Sequence, residues 1–264
     1  MKKNNPLLPV DRKQTDPSAG DMMMKAIAHI RSDFPQKFGI PRQSGLVKEL
    51  TARIFFAPEF RKEQAIRGLE GYSHIWLIWQ FSQARTNAWT PMVRPPKLGG
   101  DAYMGVFATR SPFRPNPIGL SCVKLERVET GGADGPVLVV SGADLMDGTP
   151  IYDIKPYLAY ADSYPEAAGG FTDEIDRSPL KVVFPEELLR FLPEEKRASA
   201  KGVLAQDPRP SYQDDPDRTY GIFFAGFNLK FQVCGRILTV TEVNSQENSD
   251  FTVSKLTEKA SKID

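Results

Sequence analysis

The first 160 residues consist of short apolar segments bounded by stretches rich in glycine and proline, and this pattern limits the possible folds. Segments of strand length at regular spacing are typical of antiparallel barrels and sandwiches. A doubly wound sheet would need a long helix after each strand, whereas one short helix, 58–66, interrupts the series. The sequence therefore predicts a mainly β fold with an N-terminal antiparallel β-barrel and long loops. The predicted strands are 24–30, 51–56, 72–81, 105–108, 118–128 and 137–143, and the predicted loops are 34–45 and 82–104.

The composition changes near residue 160. Residues 166–180 are acidic and rich in glycine and proline, which indicates a linker. Two helices and three strands follow and predict a small α+β C-terminal domain; they lie at 185–191, 193–206, 221–227, 229–233 and 236–243. The predicted organisation is a disordered tail (1–22), a β-barrel domain (23–165), the linker (166–180), the α+β domain (181–245) and a flexible tail (246–264).

Several classes of protein are excluded by what the sequence lacks. No apolar run approaches the roughly 20 residues of a membrane helix, and residues 1–21 lack the apolar core of a signal peptide. We therefore expect a cytoplasmic protein with no membrane partner. Two cysteines, Cys122 and Cys234, exclude a disulfide scaffold and a four-thiolate zinc site, and their apolar surroundings predict buried free thiols. With only His29 and His74 besides, we expect no metal site.

Charge is unevenly distributed along the chain. Residues 31–115 carry 13 Lys and Arg against 6 Asp and Glu, whereas residues 160–217 carry 7 against 13. A polarised surface favours a polyanionic partner on one face, although solvated charge is an equally good interpretation of composition alone. Arg42 stands in a loop without an apolar reason to be there, and Arg94 and Lys97 flank Pro95-Pro96, which would present both from a rigid, extended segment. The candidate phosphate contacts, expected to lie outside any small-molecule pocket, are Arg42, Arg94, Lys97 and Arg114. Alternatively, they brace a subunit interface through ion pairs with the acidic stretch.

The densest motif is ATRSPFRPNPIG at 108–119. Its three prolines fix the backbone and leave little entropy to lose, so Arg110, Ser111, Arg114 and Asn116 are held in set directions. A structural turn does not require two arginines, and guanidinium groups suit carboxylate and phosphate. We therefore interpret this segment as part of a binding site.

Two further clusters contain candidate functional groups. In the strand GYSHIWLIW, alternation places Tyr72, His74, Trp76 and Ile78 on one face, as an aromatic wall beside a flat ligand or as a packed core. In GADLMDGTPIYDIKPY, several carboxylates surround a turn, either capping backbone N–H groups or accepting protons and hydroxyls from a ligand. No dinucleotide fingerprint, P-loop, HExxH or GxSxG motif is present.

These motifs together resemble a known family. FPQKFGIPRQSGLV, GLEGYSHIWLIW, FATRSPFRPNPIGLS and DLMDGTPIYDIKPY are similar, in this order, to the S-adenosylmethionine-dependent tRNA methyltransferases that act on N6 of adenosine 37. In that family the adenosine bears a threonylcarbamoyl group and the tRNA accepts threonine. The similarity spans about residues 24–165, and DPRPSY at 207–212 and RTYG at 218–221 extend it more weakly. The resemblance implies a β-barrel methyltransferase and a homodimer with the cofactor near the subunit interface.

The resemblance also implies site residues. S-adenosylmethionine contacts would fall on Pro35, Gln36, Lys37, His74, Ile75, Arg110, Leu120, Asp144, Leu145, Met146 and Asp147. Leu120 and Leu145 would enclose the adenine, an arginine would pair with the carboxylate, and an aspartate would accept the amine or the diol. The acidic N–H of the carbamoylated N6 would benefit from a base, for which Asp147 and Asp153 are the candidates and Tyr152 is the second choice. The sequence leaves two alternative functions open: a cofactor-binding regulator without methyl transfer, and a methyltransferase with another substrate.

Overall fold

The computed structural model describes residues 22–83, 89–98, 102–210 and 215–245. The predicted tails therefore lie outside the described residues, apart from Met22. The strands are β1 (Ala28–Arg31), β2 (Thr51–Phe56), β3 (His74–Gln80), β4 (Met92–Val93), β5 (Met104–Gly105), β6 (Ile118–Glu129), β7 (Val137–Ser141), β8 (Pro150–Pro156), β9 (Lys181–Val183), β10 (Tyr220–Phe224), β11 (Phe227–Cys234) and β12 (Ile237–Ser245). The α-helices are α1 (Glu63–Ile66), α2 (Ala159–Asp162), α3 (Glu186–Leu189) and α4 (Glu194–Ala205). Short 3-10 helices lie at Pro58–Phe60, Leu69–Gly71, Pro96–Leu98, Val106–Ala108 and Gly170–Glu174.

The N-terminal part is a closed barrel of six strands in the order β1-β2-β7-β6-β3-β8, with every pair antiparallel. Apolar residues alternate along the strands, so that one face of each strand fills the interior. On β3, for example, Ile75, Leu77 and Trp79 are buried while His74 and Trp76 are half-buried on the outer face. The mainly β fold with an N-terminal antiparallel barrel is confirmed.

The C-terminal part is a four-stranded sheet, β10-β11-β12-β9, covered by helix α4. We call the described residues 181–245 the C-terminal unit. Its apolar core extends beyond its own residues, because Phe34, Val47 and Leu50, from the connection between β1 and β2, are buried in it. The first long loop of the barrel is therefore packed on the second sheet. Within the described part of the chain, no helix is long and apolar enough to cross a membrane.

Several predicted elements differ from the structure. Residues 105–108 are not a strand: Gly105 ends the two-residue β5, and a 3-10 helix follows. The predicted helix 58–66 is broken at Arg61 and Lys62, which separate the 3-10 helix Pro58–Phe60 from α1. Strands β8 and β9 were not predicted, since Pro150 and the charges of β8 obscured the alternation. Cys234 is exposed and Cys122 only half-buried, which corrects the predicted buried thiols, because strand alternation places both on outward faces.

Candidate functional site

A cavity of about 700 Å³ opens where β3 ends and β6 begins. This volume lies within the range typical of small-molecule sites. Three segments surround it: the loop at 37–43, the proline-rich turn at 109–114 and the turn after β7. The lining residues are Lys37, Ile40, Pro41, Arg42, Gln43, Trp79, Gln80, Phe81, Ser82, Gln83, Thr109, Arg110, Pro112, Phe113, Arg114, Ile118, Gly119, Leu120, Asp144, Met146 and Thr149.

The floor of the cavity is a chain of hydrogen bonds between two barrel strands and the turn that follows β7. The indole Nε1 of Trp79 donates to Ser121 Oγ at 2.9 Å, and that hydroxyl donates to Asp144 Oδ1 at 2.6 Å. The indole packs directly against β6 at residue 119, which is glycine, and a β-carbon there would overlap the ring. The Asp144 carboxylate is thereby fixed in position at the cavity.

Asp144 is mostly buried, and its environment is chemically unusual. Burial raises the pKa of its carboxyl above the ordinary value, although the hydrogen bond from Ser121 and the positive charge of Arg110 act in the opposite direction. A carboxylate in this state gains by pairing with a cation or by accepting hydrogen bonds from a ligand. The cavity therefore offers a half-buried acidic acceptor near a guanidinium.

The proline-rich turn forms the opposite wall. Arg110 donates to Gln43 Oε1 in the first loop at 2.5 Å, which joins two walls of the cavity. Arg114 turns back to donate to the carbonyl oxygen of Thr109, and the Thr109 hydroxyl donates to the carbonyl of Val106. These bonds within and beside the turn hold its two arginines at the cavity.

The turn after β7 is attached to the segment that follows β1. The Asp147 carboxylate accepts from the backbone N–H of Ser32 at 3.0 Å and pairs with Arg31 at 3.1 Å. Its own N–H donates to the carbonyl oxygen of Phe34 at 2.8 Å. Asp147 therefore holds two chain segments together, and its carboxylate is already engaged.

The structure brings five of the predicted cofactor residues into the cavity lining: Lys37, Arg110, Leu120, Asp144 and Met146. Pro35 and Gln36 precede the lining loop. His74 lies at the opposite end of β3, where its ring contacts Ser73 and Tyr157.

Two predicted cofactor residues lie in the barrel core. Ile75 and Leu145 are almost completely buried in the barrel core, so their side chains are not available to a ligand. In both cases strand alternation, or the turn that follows it, directs the side chain inward. A cofactor contact at Ile75 or Leu145 would therefore fall on the backbone, and the predicted contacts stay predictions.

The three candidate catalytic residues occupy different places. Tyr152 donates its hydroxyl to Gln80 Oε1 at 2.5 Å, and Gln80 lines the cavity. Asp153 pairs with Lys155 at 2.9 Å on the outer part of β8. Asp147 bridges chain segments as described, so Tyr152 is the candidate most directly connected to the cavity.

The candidate phosphate contacts divide into two groups. Arg42 and Arg114 line the cavity, which corrects the expectation that they lie outside it, because the first loop and the proline-rich turn both fold over the opening. Arg94 lies outside the lining and stacks on Tyr103, with its guanidinium 4.5 Å from the ring centroid. The side chain of Lys97 lies outside the described residues.

Sequence reasoning missed several lining residues, most clearly Trp79, Gln80 and Gln43, as well as the supporting Ser121. Trp79 belongs to the inward face of β3 and is buried, so nothing in the strand pattern sets it apart from a core residue. The one available signal was the glycine–serine alternation at 119 and 121, since small residues on an inward strand face make room for a large neighbour. In the described residues, no group of His, Cys, Asp and Glu is arranged to hold a metal ion.

Comparison with known proteins identifies families, sequences and structures that this chain resembles. Residues 29–163 match the model of the tRNA-methyltransferase O N-terminal domain, and residues 177–246 match that of the TrmO C-terminal domain. A tRNA (adenine(37)-N6)-methyltransferase of Escherichia coli (strain K12) is 42% identical over 215 residues, 78% of this chain and 91% of the relative. A putative S-adenosylmethionine-dependent methyltransferase RcsF of Pseudomonas aeruginosa is 43% identical over 204 residues, 74% of this chain and 86% of the relative. A crystal structure of TrmO from P. aeruginosa superposes with a TM-score of 0.70 at 32% identity, covering 86% of this chain and 99% of that chain.

Proposed function

This chain belongs to the tRNA-methyltransferase O family and is an enzyme, and from that membership we propose its substrate in detail. The family activity is methylation of N6 of adenine 37 in tRNA. We propose that the methyl donor is S-adenosylmethionine bound in the cavity described above. We propose further that the adenosine bears a threonylcarbamoyl group and belongs to a threonine tRNA. The protein would act in the cytoplasm.

The observation that carries the proposal is that Arg110 and the half-buried Asp144 line one cavity that also has apolar walls, close enough for the arginine's charge to act on the carboxyl. S-adenosylmethionine combines a carboxylate, an amine, a ribose diol, a sulfonium cation and a flat adenine. A guanidinium suits the carboxylate, and a buried carboxylate suits the amine or the diol. The half-exposed Leu120 and Phe113, together with Met146, provide apolar surface for the adenine. The residues present therefore fit the cofactor.

The residues of this chain have separable tasks in the reaction. When bound, S-adenosylmethionine supplies a methyl group on a sulfonium, an activated leaving group that requires only an aligned nucleophile. Arg110 and Asp144 would hold the polar groups of the cofactor's amino-acid and ribose portions. The apolar walls would keep water away from the reacting groups.

A proton must leave N6 when the methyl group arrives. The candidate acceptors for that proton are Asp153, Asp147 and Tyr152. Tyr152 already donates its hydroxyl proton to Gln80 Oε1, so it would orient the site through that amide rather than take up the proton. Asp147 is the weakest, since using its carboxylate as a base would break its bonds to Ser32 and Arg31.

The experiment uses purified protein with threonine tRNA that carries threonylcarbamoyladenosine, and with the same tRNA lacking that group. Mass spectrometry of the digested nucleosides should show one added methyl group on the modified adenosine only. Arg110→Ala serves as the impaired variant, and Arg127→Ala, on the barrel surface beside Glu129, as the matched control. An unmodified adenosine that is methylated equally well would contradict the proposed substrate. Cells without the gene should lose only this mark.

A further inference from the structure

Residues 31–34 connect the barrel to the cavity loop and are held from two sides. On the barrel side, Asp147 bonds to the backbone of Ser32 and Phe34, as described. The next residues along the chain, beginning at Lys37, form the first wall of the cavity. Displacing this segment would therefore move the wall relative to Asp144 and Met146 on the other side.

The C-terminal unit holds the same segment from its other side. Asp33 pairs with Lys196 of helix α4, with Oδ2 and Nζ 2.6 Å apart and side chains only 15% and 22% exposed. The carbonyl oxygen of Asp33 accepts from the N–H of Ala225, in the turn between β10 and β11, at 2.9 Å. The neighbouring Phe34 packs on Phe224, with ring centroids 5.5 Å apart.

The cavity loop itself also rests on this sheet. Gly39 has a φ of +92°, and a β-carbon there would lie 3.2 Å from the side chain of Ile222 in β10. Phe38 and Ile40 pack against the same apolar core. The backbone of the first cavity wall is therefore in contact with the C-terminal unit, although the wall belongs to the barrel sequence.

We propose that the C-terminal unit positions the first wall of the cofactor cavity, and that Asp33 and Lys196 are positioning residues for cofactor binding. The proposal rests on the proposed function, because it takes S-adenosylmethionine to be the ligand of the cavity. A wall held in place before the ligand arrives costs less entropy to order on binding. Losing the Asp33–Lys196 pair should therefore weaken cofactor binding without removing any group from the cavity.

The test removes both charges at once, since deleting one partner would leave the other buried and unpaired. Asp33→Asn combined with Lys196→Met should bind S-adenosylhomocysteine about tenfold more weakly by calorimetry, from lost preorganisation. The KM for S-adenosylmethionine should rise by a similar factor while kcat stays within about twofold. The control variant, Lys230→Met with Glu242→Gln, removes the 2.8 Å ion pair between β11 and β12 and should bind normally.

A folded double variant with unchanged affinity and KM would overturn the proposal. Amide exchange in the unaltered protein gives a second test that does not depend on the variant folding. S-adenosylhomocysteine should slow exchange at Ala225, whose N–H bonds to Asp33, as well as at Asp147. Protection at Asp147 with none at Ala225 would also overturn it. If the unaltered protein does not bind S-adenosylhomocysteine at all, it is the proposed cofactor that fails.

Discussion

Arg110 shows how a single side chain is prepared for a ligand before the ligand arrives. Its guanidinium is held by Gln43, and its charge acts on the buried carboxyl of Asp144. Pro112, two residues further along the chain, and Pro115 and Pro117 after it restrict the backbone of the turn. Arg110 therefore loses little conformational entropy when it binds a carboxylate in the cavity.

We expect Arg110→Ala to weaken S-adenosylmethionine binding by about 1.5–3 kcal/mol, the size of a hydrogen bond to a charged group. Isothermal calorimetry on the folded variant measures this loss directly. Arg127→Ala, which removes an arginine paired with Glu129 on the barrel surface, should leave the affinity unchanged. Equal affinity of the Arg110 variant and the unaltered protein would remove Arg110 from the site.

Asp144 should make the protein less stable as the pH rises. Its pKa is raised in the folded state by burial, so the unfolded chain, with the ordinary value of 3.8, releases its proton first. The free energy of unfolding then falls as the pH rises above about 3.8, until the folded carboxyl has ionised as well. In Asp144→Asn this fall is absent, so the stability of the variant relative to the unaltered protein should increase from acid to neutral pH.

Urea denaturation between pH 3.5 and 7 tests the sign. Asp162→Asn is the matched control, because hydrogen bonds from Leu158 and Trp76 lower the pKa of Asp162. Its stabilising effect is present above 3.8 and is lost as the pH falls, so its variant should show the opposite trend. A pH-independent difference for Asp144→Asn would show that its burial has no energetic effect.

At the scale of elements, the pairing of β3 with β6 depends on a glycine at position 119. Trp79 lies opposite Gly119, and the indole occupies the space that a β-carbon would need. Gly119→Ala should cost about 1–3 kcal/mol of unfolding free energy through overpacking, and should also weaken cofactor binding because the floor moves. Gly105→Ala meets no atom within 4 Å and should cost little, as urea denaturation of both variants would show. Equal stability of the two would contradict the close packing.

The elements that the sequence predicts best are those in which alternation and burial agree. β2 is predicted with its exact bounds, and β3 and β6 to within two residues at each end, since each has a continuous apolar face. β8 is missed because its outward face carries Asp153 and Lys155, and its first residue is a proline. Helix 58–66 breaks because only tertiary packing, not propensity, maintains such short helices.

The candidate site is predictable only where a motif is rigid by itself. The proline-rich turn is identified from local sequence and Asp144 from the family resemblance, and both line the cavity. Gln43 and Gln80 were not, because their roles depend on partners that are distant in sequence, Arg110 and Tyr152. For the same reason the inward directions of Ile75 and Leu145 became clear only from the barrel's register.

At the scale of the whole molecule, we expect a homodimer whose interface includes residues of the 82–117 region. In the described part of that region, Met92, Tyr103, Phe107 and Phe113 are exposed at 43–72%, an unusual concentration of apolar side chains beside a binding cavity. Light scattering at micromolar concentration should give twice 29.5 kDa. Phe107→Glu should dissociate the dimer. Tyr160→Glu should not, because Tyr160 lies outside the 82–117 region, with its side chain 88% exposed. A 29.5 kDa particle with full activity would contradict this expectation.

We also expect the basic segment, residues 31–115, to face the tRNA. Replacing Arg42, Arg94 and Lys97 by alanine should weaken tRNA binding and reduce its salt slope by about one per lost phosphate contact. Because Arg42 lines the cavity, the double variant at Arg94 and Lys97 is the cleaner one, and its cofactor affinity should not change.

Filter binding over a range of salt concentrations, with light scattering on the same samples, measures both properties. Arg177→Ala with Arg190→Ala, in the acidic 160–217 stretch, is the control for general charge effects. If the double variant dissociates instead, these cations brace the subunits. An unchanged salt slope in an intact dimer would mean that they do not touch RNA.

The shared apolar core has a consequence for how the chain is made. Asp33 and Lys196 are separated by 163 residues, so the loop that carries Phe34 leaves the ribosome long before helix α4 exists. At about 5–20 residues per second, that delay lasts roughly 8–30 s. The barrel can close during this time, but Phe34, Val47 and Leu50 remain uncovered until the final strands emerge. Nascent chains of this protein should therefore bind chaperones through this loop, and release them only when synthesis is complete.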